Sequence, residues 1–124
     1  MEEKIISLNK DDVKRIIVEY YSKGNELSVY EELSLCNGNP DLKLYLVEHL
    51  NNKEINRILL TIEDIKEVLN NYANSNNHEL LDFKYIGGVH TVGYTFDEDT
   101  PHYDGIRLIV KEKYQDKKLS KYKH

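Results

Sequence analysis

The apolar residues change their spacing once, close to His78, and that change restricts what the chain can fold into. Before it, Ile62, Ile65, Val68, Leu69 and Tyr72 recur at the interval of a helix face. After it, Leu81, Phe83 and Tyr85 alternate with Asp82 and Lys84, and Val92, Tyr94 and Phe96 alternate with Thr91, Gly93 and Thr95. Ile106, Leu108 and Val110 then alternate with Arg107, Ile109 and Lys111. Alternation places every second side chain on one face of a strand. A chain with both spacings must lay helix stripes on a sheet face, which is an α+β domain.

The upstream half is read in the same way. Residues 4–8, KIISL, are a short strand or arm. Asn9 with Asp12 opens a helix over about Lys10 to Lys23, and Gly24 stands where a terminating glycine belongs. Ser28 with Glu31 resembles a capping box and predicts a second helix ending near Cys36 and Gly38. Asn39-Pro40 predicts a third, with Leu42, Leu46 and Leu50 as its stripe and His49 at the edge of it as a packing residue. Ile55 to Leu60 is β-branched and leucine-rich, and Thr61 with Asp64 caps a fourth helix. Gly87-Gly88 and the acidic DEDTP segment reverse the chain between strands. No internal repeat is evident. The expectation is one α+β domain over residues 1–113, a three- to five-stranded mainly antiparallel sheet on about four helices, with a basic, frayed tail at 114–124.

Composition sets outer limits. A chain of 124 residues buries a core without disulfides or a metal. Cys36 is the single cysteine, so no internal disulfide forms, which fits a reducing cytosol. No apolar run approaches the ~18–20 residues of a spanning helix, and the acidic start MEEKIISLNKDD is unlike a signal peptide. A cytoplasmic protein is expected, in the host cell's cytoplasm if the chain is phage-encoded. Residues 1–110 hold 11 Lys and Arg against 20 Asp and Glu, a balance of -9. Such a body is a poor binder of nucleic-acid backbone, which rewards positive charge.

Signatures of catalysis are missing: there is no phosphate-binding glycine loop before a helix, no G-x-S-x-G and no H-E-x-x-H. His90 and His102 with Asp97, Glu98, Asp99 and Asp104 are the residue types of a zinc or iron site, but none stands at a ligand spacing. Cys36 reads as a packed thiol rather than a nucleophile. A non-catalytic ligand face is easier to build. Phe83, Tyr85 and Tyr94 supply rings that stack on a base, and His90 and Thr91 supply hydrogen bonds to a ribose. Only three arginines occur, Arg15, Arg57 and Arg107, and a planar fork suits a phosphate, so Arg57 and Arg107 join the set. Pairing with surface carboxylates is the plainer account of both arginines. Neither a cofactor nor a metal is expected.

The segments TIEDIKEVLNNYA and FKYIGGVHTVGYTFDEDTPHYDGIRLIVKE resemble the phage-encoded Thoeris anti-defence sponges of the first described type, over roughly residues 55–113. The resemblance implies a small α+β homo-oligomer that sequesters a cyclic ADP-ribose isomer made by a bacterial TIR-domain defence enzyme, without cleaving it. Some members of that family also hold cyclic oligonucleotides. The general pattern carries this resemblance, and no binding residue of the family is placed on this chain. The expected function is thus sequestration of a small cyclic nucleotide signal. The alternatives are an acidic protein-binding inhibitor, such as an anti-CRISPR or a toxin's immunity protein, and a small metal-dependent hydrolase using His90 and His102.

Overall fold

The computed structural model describes residues 2–22, 24–36, 39–88 and 102–113. Their order is β1 (Glu3–Asn9), α1 (Lys10–Tyr21), β2 (Glu26–Cys36), β3 (Asn39–Leu50), β4 (Lys53–Leu60), α2 (Ile62–Ser75), β5 (His78–Gly88) and β6 (His102–Glu112). There are two antiparallel three-stranded sheets instead of one. Sheet A runs β1-β6-β5 and sheet B runs β2-β3-β4.

Two helices, not four, are present among the described residues. Both predicted capping boxes at real helix starts form in full. The Asn9 side chain accepts the Asp12 amide and Asp12 accepts the Asn9 amide; Thr61 and Asp64 do the same for α2. Each satisfies two amides that have no intrahelical acceptor. The segments expected as the second and third helices are strands β2 and β3. In β2, Leu27, Val29, Glu31 and Leu33 face inward while Ser28, Tyr30 and Glu32 face out. In β3, Leu42, Leu44 and Leu46 face inward. Leu42 and Leu46 are four apart, an interval that keeps one face in a helix and in a strand alike, so that spacing misleads. The Ser28 hydroxyl caps nothing; it meets His49 Nε2 across the sheet at 2.9 Å. Asn51 and Asn52 both take positive φ, 54° and 66°, in the two-residue turn from β3 to β4.

Gly87 and Gly88 make no reversal. They continue β5, opposite Tyr103 and His102, with a bulge between Ile86 and Gly87. Gly87 has φ 120°, and a Cβ there would lie 2.3 Å from the His102 carbonyl oxygen. The strand expected over Val92 to Phe96 and the DEDTP turn lie outside the described residues.

An internal duplication, not evident in the sequence, organises the whole. The order β-α-β-β occurs twice, as β1-α1-β2-β3 and β4-α2-β5-β6. One shift along the chain carries Asn9 onto Thr61, Asp12 onto Asp64, Val13 onto Ile65 and Ile17 onto Leu69. The units exchange their first strands: β1 joins the hairpin of the second unit, and β4 joins the hairpin of the first. Leu8 opposite Ile106 thereby matches Leu60 opposite Leu44. The helices run side by side, the end of α1 beside the start of α2, where the Tyr20 hydroxyl donates to Glu67. One contiguous core joins both units, with Ile106, Leu108 and Val110 of sheet A fully covered. Each such side chain contributes about 1.5–3 kcal/mol by leaving water.

Candidate functional site

Matched positions differ most between the helix starts and the strands that follow them. In the first unit, Lys10 at the start of α1 reaches Glu31 on β2 at 3.4 Å and closes the gap with an ion pair. In the second unit those positions hold Ile62 and Tyr85, since Tyr85 opposes Ile106 as Glu31 opposes Leu44. Among the described residues no ion pair spans the gap there, and a cleft of about 490 Å³ opens between α2 and β5. Ile62, Glu63 and Lys66 line one wall and residues Leu81 to Tyr85 the other.

Local sequence explains the wall. A bulge at Leu80–Asp82 adds Leu81 to β5, so Leu81 is left 40% exposed at the cleft. Beyond it Phe83 opposes Leu108 and packs half-buried against the core, and Tyr85 is 38% exposed. Phe83 and Tyr85 meet edge to face at 6.2 Å between centroids, and Tyr85 meets Tyr103 the same way at 6.1 Å. The row is rigid because Tyr103 is buried. Burial raises the pKa of Tyr85 above the usual phenol range, so its hydroxyl stays a neutral donor near neutral pH. Lys66 and Glu63 bring one charge of each sign to the α2 wall, while Lys84 lines the other wall as part of the strand, its side chain on the face of sheet A that carries Arg107. Asp82 is partly engaged, since its Oδ1 accepts the Phe83 amide at 2.8 Å. The first-turn amides of Ile62 and Glu63 also point out of the helix start.

Of the predicted ligand residues, Phe83 and Tyr85 come together. Arg107 does not join them: it faces the other side of sheet A, exposed, opposite Ser7 on β1 and Lys84 on β5. Arg57 lies on the outer face of sheet B. Its guanidinium grips Glu54 through Nε and a terminal nitrogen at 2.9 and 2.8 Å and rests over the Tyr30 and Tyr45 rings at 4.7 and 5.7 Å. These bonds hold the Glu54 carboxyl below its ordinary range. The plainer account, a guanidinium paired with a surface carboxylate, describes Arg57. His90, Thr91 and Tyr94 lie outside the described residues.

Lys66 and Lys84 were missed. Lysine is common along the whole chain, and nothing local separates these two from the rest. Ser28, His49 and Glu54 share the outer face of sheet B, with His49 opposite Glu54 and His49 Nε2 at 2.9 Å from Ser28. That is the order of a serine nucleophile, its base and an orienting acid. Here the acid is taken by Arg57, which leaves an open-faced Ser–His hydrogen bond. Of the expected metal set, His102 and Asp104 approach to 3.3 Å, while His90, Asp97, Glu98 and Asp99 lie outside the described residues. Among the described residues no three His, Cys, Asp or Glu side chains gather as a metal site. Among them, too, no helix is long and apolar enough to cross a membrane.

Compared with known proteins, the chain matches no family model, no curated protein and no solved structure.

Proposed function

We propose that the protein binds and sequesters a small nucleotide signal in the α2–β5 cleft without transforming it, a cyclic ADP-ribose isomer being the leading candidate, and so blocks a bacterial anti-phage defence. One observation carries this reading: Phe83 and Tyr85 of β5 share a cleft with Lys66 of α2. Rings stack on a base whatever its identity, at about 1–3 kcal/mol each. The ammonium of Lys66 at the α2 wall attracts a phosphate, and Lys84 and Arg107, on the other face of sheet A, add positive charge only at longer range. The cleft volume falls within the ~300–1,000 Å³ common for small-molecule sites. The likeness of the sequence to Thoeris anti-defence sponges points to the same ligand class.

Titration calorimetry with cyclic ADP-ribose isomers tests the reading, followed by heat release and mass analysis of the ligand. Saturable binding with the ligand recovered intact supports it. The absence of heat with any isomer, or recovery of a cleaved product, overturns it.

A protein-binding inhibitor is the second reading. Among the described residues strand β4 is an edge of sheet B, with Ile55, Ile58 and Leu59 each about half exposed, at 51%, 47% and 47%. A free apolar edge is a template for another chain's strand. The same edge is where a second copy would join in a homo-oligomer. Co-purification of a stoichiometric host protein would favour the inhibitor, and a symmetric dimer in sedimentation would favour self-association.

A further inference from the structure

The two helices do not cover the two sheets equally. In sheet A, Leu108 and Val110 are fully buried. Counting outward from the matched pairs Leu8–Ile106 and Leu60–Leu44, their places in sheet B belong to Leu46 and Glu48. A carboxylate thus stands where the other sheet buries a valine. Ile58, the match of the half-buried Ile6, is 47% exposed. Between this part of sheet B, the end of α1 and the start of α2 lies a cavity of about 360 Å³, separate from the α2–β5 cleft.

Its walls are aliphatic, Leu46 and Ile58 among them, and its polar groups are Glu48, Asp64, Asn25 and the Tyr21 ring with its hydroxyl. Among the described residues no lysine or arginine lines it, and two carboxylates face one cavity. Each keeps acceptor capacity. Glu48 accepts one bond from the Asn25 side-chain amide through Oε2, and Asp64 accepts the Thr61 amide through Oδ2, which leaves the second oxygen of each. Tyr21 adds an aromatic ring to the lining, and an ammonium over the face of such a ring is attracted by it. Burial, with Asp64 and Glu67 nearby, raises the Tyr21 pKa, so its hydroxyl stays uncharged.

We propose that this cavity binds a small organic cation, a primary amine carried on an apolar body, with the ammonium between Glu48 and Asp64 and the body against Leu46 and Ile58. Charge complementarity selects the class: an anion would meet two carboxylates, and a neutral apolar molecule would leave both without a counter-charge. The site is independent of the nucleotide reading and uses none of its residues.

The test is a nitrogen–proton NMR titration of the full chain with phenethylamine, and with phenylethanol as the uncharged isostere. Phenethylamine is expected to shift, saturably, the amides around Tyr21, Glu48, Ile58 and Asp64, with phenylethanol at least tenfold weaker. Glu48→Gln is expected to weaken the amine at least tenfold, and Ile58→Trp, at an exposed position that tolerates bulk, to fill the cavity and abolish binding. The proposal is overturned if phenylethanol binds as tightly as the amine, if Ile58→Trp leaves amine binding unchanged, or if millimolar amine shifts none of these amides.

Discussion

Gly105 on β6 lies against the backbone of Leu8 on β1, so closely that a Cβ would sit 1.9 Å from the Leu8 carbonyl oxygen. Its φ of 144° is one that L side chains rarely adopt. Gly105→Ala therefore combines a backbone clash with strain at the seam where the first strand joins the second unit's hairpin. Loss of about 3 kcal/mol or more is expected in urea unfolding. Gly24→Ala is the control: φ is 111° but nothing lies within 4 Å, so strain alone remains, about 1–2 kcal/mol.

The two capping boxes give a quantitative check on the duplication. Asn9→Ala and Thr61→Ala should each cost about 1 kcal/mol. The caps belong to different helices and share no hydrogen-bond partner, so the double variant should cost the sum. Thermal or urea melts of the three variants measure this directly.

Ligand affinity should follow the cleft rather than the arginines. Tyr85→Ala is expected to weaken cyclic ADP-ribose binding by roughly 10- to 100-fold, the value of one stacked base. Lys66→Ala should weaken it and flatten its salt dependence, because a phosphate-facing charge acts through screened attraction. Arg107→Ala, on the opposite face of sheet A, should have the smallest effect of the three. Calorimetry at two salt concentrations separates these outcomes.

Alkaline pH should loosen the fold. Tyr20 is pushed up to about 12, first by its hydrogen bond to Glu67, and burial raises Tyr21, Tyr85 and Tyr103. A phenol whose pKa is raised by folding holds its proton in the folded state after the unfolded chain has lost it. Stability is therefore whole below about pH 10 and declines as pH climbs from there through the raised values. Tyrosinate ultraviolet absorbance followed against circular dichroism should show late, cooperative ionisation, and Tyr20→Phe should reduce the decline.

The apolar edge of β4 offers a clean substitution. Leu59 is 47% exposed, so Leu59→Lys should change stability by no more than about 0.5 kcal/mol. A protein partner or second copy held along this edge should nevertheless be lost. Sedimentation and co-purification with the variant report the outcome.

The helices were legible because their starts carry side chains that bond the local backbone, which needs no tertiary information. Strands β2 and β3 were not. Glu31 breaks the apolar alternation of β2 from within, held on the inner face by Lys10, and the leucines of β3 repeat at an interval common to both structures. Phe83 and Tyr85 were found because alternation assigns them one face. The arginines were chosen for scarcity, a property of composition that carries no information about position. Lys66 enters the cleft only because α2 is laid along β5, a relationship that nothing in its local sequence signals. The duplication stayed hidden because matched positions keep size and polarity, as with Val13 and Ile65, but seldom identity.

The exchange of first strands also fixes an order of assembly. Sheet B closes through neighbouring hairpins, whereas Glu3 finds Lys111 only after nearly the whole chain exists. Pairings so distant in sequence form late. Of the described strands, β1 is therefore the first made on a ribosome and the last to be seated. A nascent chain halted before Gly105 would present its N-terminal strand and the face of α1 unpaired, a state open to chaperones and to aggregation.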